Sequence, residues 1–310
     1  MEPSVEIVEV SARDGLQNES AVFETSEKVR LIEAALSAGL KRLEVASFVN
    51  PKRVPQMADG EAVIAALPDK SDVTYIGLVL NKRGLLRALE TRSGGKRGVD
   101  EVGLVAVATD TFAQRNQGQT SLESAELCRD MLALASREGM RGQVTLSASF
   151  GCPFEGRVSF DHVINMATIV AEGEPVEIAI ADTIGVASPA RVTELVERLG
   201  AVLPEMPLRA HFHNTRGTGL ANAYAAYHAG VKTLDASIGG LGGCPFAPKA
   251  TGNISTEELV YMLEESGIGT GVDLARLLES TKWIESHLGR RLPSLVAQAG
   301  AFPTPEVACL

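Results

Sequence analysis

Two histidines two residues apart, His211 and His213 in the stretch LRAHFHNTRGTG, have the residue type and spacing for metal chemistry. Side chains alternate faces along a strand, so both imidazoles leave the same face and can share one ion. The same spacing also suits a pair packed in a core or exposed on an edge strand. The residues that follow tip the balance: Asn, Thr, Arg and Gly come next, so the pair stands where a strand runs out into a polar loop. Binding and catalytic residues gather on such loops when a rigid scaffold carries them.

Short apolar runs alternate with longer amphipathic ones along the whole chain. Eight strands are expected, at 5–10, 41–47, 72–80, 101–107, 143–150, 176–181, 207–213 and 231–238. Between them lie helix patterns such as SEKVRLIEAALSAG, SLESAELCRDMLALASREG and SPARVTELVERLGAVL, each beginning at Ser and most ending at Gly, as capping chemistry prefers. Strands separated by one helix each imply right-handed βαβ units and a parallel sheet. Eight such units suit a closed (β/α)₈ TIM barrel, which typically needs roughly 250 residues. Two further helix patterns, TEELVYMLEESG and DLARLLESTKWIESHLG, follow Ser255 and would pack beside the barrel. No linker or repeat interrupts the chain, so one catalytic domain is expected over residues 1–290, with a tail at 291–310.

That architecture gathers the reactive residue types. Arg13 and Asp14 follow the first strand, Glu44 sits late in the second and Asp182 ends the sixth. His211 and His213 end the seventh, and Cys244 and Asn253 lie after the eighth. All fall at C-terminal strand ends, the catalytic face of such a barrel. Asp14, His211 and His213 can converge on one divalent cation, with the Asn253 amide oxygen as a further donor. Two imidazoles with hard oxygen ligands suit Mg²⁺ or Mn²⁺, and a thiolate-free set favours Zn²⁺ less.

The segments VEVSARDGLQNE, LEVASFVNPKRVPQMAD, FGCPFEG, DTIGVASP, HFHNTRGTGLANA and GGLGGCPFAPKATGNISTEELVYMLE run from near Val5 to about residue 290. In that order they resemble the 3-hydroxy-3-methylglutaryl-CoA lyase family, part of a wider superfamily with isopropylmalate and homocitrate synthases. The resemblance implies a divalent-metal-dependent TIM barrel that cleaves hydroxymethylglutaryl-CoA to acetyl-CoA and acetoacetate. It implies Asp14, His211, His213 and Asn253 as metal ligands, Arg13 as the substrate-binding arginine and Cys244 as the active-site cysteine. Asp182 and Glu44 match acidic positions that support the site. Four features depart from the family pattern: S-A-R-D in place of G-P-R-D, Asn214 in place of aspartate, Arg216 in place of tyrosine, and Pro248 with Lys249 beyond Cys244. None removes a ligand, but Arg216 and Lys249 add positive charge near the mouth, available to a CoA phosphate or an extra carboxylate, or simply solvated. Alternatives are therefore a lyase for another branched 3-hydroxyacyl-CoA, an aldolase or Claisen-type synthase of the superfamily, or a non-catalytic acyl-CoA-binding barrel.

Cleaving a 3-hydroxyacyl thioester between C2 and C3 asks for these residue types. A metal lowers the hydroxyl pKa and fixes orientation. Arg13, always cationic and forked, can hold the thioester oxygen as it gains charge. His211 or Asp14 is the candidate base, and Cys244, in its glycine-rich setting, the candidate acid. His162, His228 and His287 lack partners at ligand spacing. Cys128 reads as core, Cys152 as loop packing and Cys309 as an exposed thiol.

Composition bounds the partners. Thirty-nine acidic against 29 basic residues give a formal charge of −10, which argues against nonspecific nucleic-acid or membrane-surface binding. No apolar run approaches the roughly 18 residues of a membrane span. The four cysteines are scattered, so reduced thiols, a cytoplasmic setting and a homo-oligomer acting on an acyl-CoA are expected.

Overall fold

The computed structural model describes residues 4–244 and 247–303, with Cys244 and residues 247–251 by backbone alone. Eight parallel strands close into a barrel: β1 Glu6–Glu9, β2 Arg42–Ser47, β3 Thr74–Val79, β4 Glu101–Val107, β5 Arg141–Ser147, β6 Ile178–Asp182, β7 Leu208–Phe212 and β8 Thr233–Ala236. Each pairs with its sequence neighbours, and β1 pairs with β8 to seal the ring. The expected strand 143–150 ends at Ser147, because Ala148 adopts φ 58° and turns the chain. His213 falls just past β7, where it forms an isolated bridge with Asn253.

Outside the ring lie α1 Thr25–Ser37, α2 Gly60–Ala66, α3 Lys82–Glu90, α4 Asp110–Gln117, α5 Ser121–Arg137, α6 Phe160–Ala171, α7 Pro189–Val202 and α8 Gly219–His228. They bury one face each, as Leu31, Ile32 and Ala35 of α1 or Val192, Leu195 and Leu199 of α7 show. Capping is close to expectation but shifted by a residue or two. The N-cap of α1 is Glu24, in a reciprocal capping box with Glu27, and that of α5 is Thr120, paired likewise with Glu123. The expected C-terminal helices are α9 Thr256–Glu265 and α10 Leu274–Leu288, the latter ended by Gly289 at φ 64°. Beyond them Leu292 is buried and the Ser294 amide donates to Gly239 O at 3.2 Å, so the described part of the tail docks on the barrel.

The lower barrel interior is filled by charge. Arg42 of β2 pairs with Glu101 of β4 and, at 2.8 Å, with Glu177, while Arg209 of β7 reaches Glu177, Glu44 and Asp235. These residues alternate with the outward apolar ones that meet the helices, the period-two pattern of a barrel strand. A register shift between Glu44 and Ala46 marks a bulge in β2 beside the site, a device that re-aims side chains.

Candidate active site

Five segments deliver the site at the C-terminal end of the barrel. After β1 the chain makes a five-residue π-helical turn, Ser11–Gly15, which carries Arg13 and Asp14. Such turns are rare and frequent at functional sites. Gly15 lets the turn pack closely there, since a Cβ would stand 3.0 Å from Ser237 Oγ and 3.1 Å from Leu241 O and those neighbours would have to shift. Buried Glu9 fastens the same corner: its Oε1 accepts from Ser11 N at 2.9 Å and Ile238 N at 3.0 Å, and its Oε2 from Thr256 Oγ1 at 2.7 Å.

Asp14, His211 and His213 place ligand atoms within 4.8 Å of one another. Asn253 joins them, its Nδ2 donating to Asp14 Oδ2 at 2.9 Å and to Leu241 O at 3.2 Å, while its Oδ1 is buried without a hydrogen-bond partner. His213 Nδ1 is likewise buried and unpartnered. An oxygen and an imidazole nitrogen left unsatisfied beside a carboxylate are costly unless something coordinates them. His211 Nδ1 faces Asp235 Oδ2 at 3.0 Å, which leaves Nε2 for an ion. The charge count points the same way. Around the cluster the guanidiniums of Arg13 and Arg209 face the carboxylates of Asp14, Glu44 and Asp235, an excess of negative charge that favours a bound cation. The residues present therefore fit a hard divalent ion.

Titration behaviour follows from these contacts. Burial opposes the Asp14 charge, but Arg13, the two histidines and Asn253 outweigh it and hold the carboxyl well below its ordinary value. Burial together with neighbouring His211 pushes His213 down to about 4, so it stays neutral and available as a ligand. Burial also works against protonated His211, but the Asp235 hydrogen bond and charge prevail and raise it.

Arg13 stands beside the cluster, its Nη1 2.6 Å from Asp14 Oδ1 and its Nε 2.7 Å from Glu44 Oε2. Glu44 therefore orients Arg13. Asp182, expected among the catalytic residues, does not join the cluster. Its oxygens accept from Val186 N and Ala187 N, each at 2.8 Å, so it closes the turn after β6, and burial raises its pKa despite those donors. Arg216 is exposed and keeps its charge, while its Nη1 donates to Ile184 O and Gly185 O at 2.7 and 3.1 Å and so braces the same turn. The side chains of Cys244 and Lys249, and Cys309 as a whole, lie outside the described residues. Cys128 is buried, which pushes its thiol up to about 12, and Cys152 is buried under Thr109. His162 meets Ser121, His287 meets Glu27 and His228 packs on Tyr224, away from the site.

Sequence reasoning missed Asp235 and Arg209. Both are charged residues on the inward face of an apolar strand, Arg209 two positions before His211 and Asp235 inside VKTLDASI, and that mismatch was the available signal. Above the cluster opens a cavity of about 770 Å³, with Thr145, Ser147 and Thr183 among the polar lining and Leu78 and Val105 among the apolar. Exposed Arg53 and Arg115 also line it.

The HMGL-like family model matches residues 4–284. The chain is 41% identical over 308 residues to the (R)-citramalyl-CoA lyase of Chloroflexus aurantiacus, covering 96% of this chain and 95% of that one. It is 40% identical to the hydroxymethylglutaryl-CoA lyase YngG of Bacillus subtilis, covering 94% and 95%. A solved HMG-CoA lyase of Acinetobacter baumannii, in complex with coenzyme A and 3-methylmalate, superposes with a TM-score of 0.89 at 38% identity, over 97% of this chain and 98% of that one. With family model, sequence and fold in agreement over nearly its full length, the chain belongs to the HMGL-like family, among the HMG-CoA lyases.

Proposed function

We propose that the chain is a carbon–carbon lyase that cleaves 3-hydroxy-3-methylglutaryl-CoA to acetyl-CoA and acetoacetate. The observation that carries this is the convergence of Asp14, His211, His213 and the unpartnered Asn253 Oδ1 beside Arg13 at the open end of the barrel. Asp14, His211, His213 and Asn253 would hold Mg²⁺ or Mn²⁺, which supplies Lewis-acid polarisation of the substrate hydroxyl. Arg13 presents a fixed, fully charged fork to the thioester oxygen and stabilises it as an enolate forms. Glu44 and Asp235 keep Arg13 and His211 in place. Of the two base candidates, Asp14 has both carboxylate oxygens engaged, Oδ1 by Arg13 and Oδ2 by Asn253, and its carboxyl is held low, so His211, which Asp235 orients and whose imidazole pKa it raises, is the better placed to take the proton. Cys244, whose side chain lies outside the described residues, is proposed as the acid that protonates the acetyl carbon. The acyl-CoA enters through the cavity lined by Arg53 and Arg115, and the active species is proposed to be a homo-oligomer.

Resemblance to a citramalyl-CoA lyase supports a second reading, in which the same site cleaves another branched 3-hydroxyacyl-CoA. Chelator-treated protein should be offered a panel of such thioesters, including hydroxymethylglutaryl-CoA and citramalyl-CoA, with and without Mg²⁺ or Mn²⁺. Metal-dependent acetyl-CoA release, fastest from hydroxymethylglutaryl-CoA and abolished together with metal binding in His213→Ala, is the expected result. Full activity in excess chelator would overturn the metal assignment. Faster release from citramalyl-CoA would select the second reading, and no release from any thioester would leave an acyl-CoA-binding barrel.

A further inference from the structure

We propose that Arg209 is a positioning residue that locks the metal-binding half of the site to the substrate-binding half. The proposal rests on the roles assigned above to His211 and Arg13. Arg209 is 1% exposed and is not one of the clustered ligands, although it lines the inner part of the cavity, and one of its nitrogens joins the two halves. Nη2 donates at 3.0 Å to Glu44 Oε1 and also at 3.0 Å to Asp235 Oδ2, while Nε lies 2.6 Å from Asp235 Oδ1. Asp235 Oδ2 is the atom that faces His211 Nδ1. The other oxygen of Glu44 holds Arg13 Nε. A continuous path of charge-assisted contacts therefore runs from metal ligand to substrate arginine, His211 to Asp235 to Arg209 to Glu44 to Arg13.

The third carboxylate fixes the plane of the fork. Arg209 Nη1 donates to Glu177 Oε1 at 3.3 Å, and Glu177 is itself held by Arg42 below. A guanidinium gripped on three sides has little freedom to tilt, so neither carboxylate above it can move without the other. Lysine could neutralise one of the two upper carboxylates, but a single ammonium lacks the planar fork that spans both. Arg42 and Glu101 complete the ionic floor of the barrel without contacting any group that touches the site. Arg209 is the member of that network whose partners do.

A purely structural ion pair predicts loss of folding stability alone. The positioning role predicts that metal affinity and turnover fall together in protein that is still folded. Arg209→Lys and Arg209→Met should be compared with Glu44→Gln, Asp235→Asn and their double variant, reading Mn²⁺ affinity by calorimetry, the Mn²⁺ resonance line shape, and kcat and KM. Folded Arg209→Lys should bind Mn²⁺ about 10–100-fold more weakly, the usual size of an outer-sphere loss. Its kcat should fall by about tenfold or more with a smaller change in KM, and Arg209→Met should fall further. The Glu44→Gln and Asp235→Asn losses in Mn²⁺ affinity should be non-additive, because both act through one guanidinium. This cycle decides the matter if the Arg209 variants do not fold. Wild-type Mn²⁺ affinity and kcat in folded Arg209→Lys, or strictly additive losses in the cycle, would overturn the proposal. Wild-type protein that binds Mn²⁺ but cleaves no thioester would sink the proposed reaction while leaving the affinity measurements to judge Arg209. Absence of Mn²⁺ binding in the wild type would overturn both.

Discussion

Replacing one glycine by alanine should cripple the metal site without touching a ligand. Gly242 sits at φ +109°, and a Cβ there would stand 2.9 Å from Asn253 Nδ2 and 3.1 Å from Gly15 Cα. The glycine backbone on one side cannot retreat, because Gly15 belongs to the turn that carries Asp14. The Asn253 amide must therefore yield, breaking its bonds to Asp14 Oδ2 and Leu241 O and swinging Oδ1 away from the cluster. Left-handed backbone at a non-glycine residue costs roughly 1–2 kcal/mol. Loss of a hydrogen bond to a charged group adds about 1.5–3 kcal/mol, for a total near 3–4 kcal/mol of folding stability. Displacing Asn253 and untethering Asp14 should weaken metal binding by about 10–100-fold, equivalent to roughly 1.4–2.7 kcal/mol. Gly243 provides the control: a Cβ there meets nothing within 4 Å and its φ is not left-handed. Mn²⁺ titration calorimetry and thermal melts in chelator should separate Gly242→Ala from Gly243→Ala on both counts. Unchanged Mn²⁺ affinity in Gly242→Ala, or an equal loss in Gly243→Ala, would show that the reasoning from this contact is wrong.

Arg13→Met should lower kcat by roughly 10²–10³-fold while KM changes much less, because its contact strengthens only as the enolate forms; a raised KM with unaltered kcat would assign Arg13 to ground-state binding instead. Burial lifts Glu9 from 4.5 to about 7 against the hydrogen bonds it accepts, so its contribution to stability is whole below about pH 4.5 and is lost as pH rises through about 7. Urea denaturation of metal-free protein at pH 5 and pH 8 should then favour Glu9→Gln over wild type by roughly 2.5 kcal/mol more at the higher pH, and identical pH slopes in the two proteins would refute the raised value.

The barrel was legible because its signals are local. Eight β-branched runs separated by amphipathic helices admit few arrangements, and all eight appear as parallel strands in ring order. The cluster of Asp14, His211, His213 and Asn253 was legible for a different reason: strand ends in a closed barrel converge whatever their separation in sequence. The supporting residues were harder to see. Arg209 and Asp235 belong to strands whose inward faces hold charge, and charge inside a strand acquires meaning only once its partner is known, which for Arg209 and Glu44 lies 165 residues away. The part played by Asp182 was not legible, because a carboxylate that ends a strand looks the same whether it faces substrate or backbone amides. The turn chemistry of TIGVASP, whose Val186 and Ala187 amides it accepts, decides between them. The C-terminal segment past residue 290 lacks a long periodic pattern, yet its Leu292 fits against Gly239, where a methyl group would stand 2.3 Å from Leu292 Cδ1.

A barrel that buries five carboxylates against three guanidiniums carries a cost that an apolar core would not. In the lower set Arg42 faces both Glu101 and Glu177, and Glu177 is shared with Arg209. Toward the open end, Glu44 and Asp235 share Arg209, and Asp14 shares Arg13 with Glu44, so one negative charge is left over beside the cavity. Nearby, Asn253 Oδ1 and His213 Nδ1 lack hydrogen-bond partners. A divalent cation held by Asp14, His211, His213 and Asn253, as proposed above, would offset that charge, and by binding the folded chain it would add to stability by mass action. The network beneath would then serve two ends through the same contacts, fixing the ligands in place and favouring a cation among them.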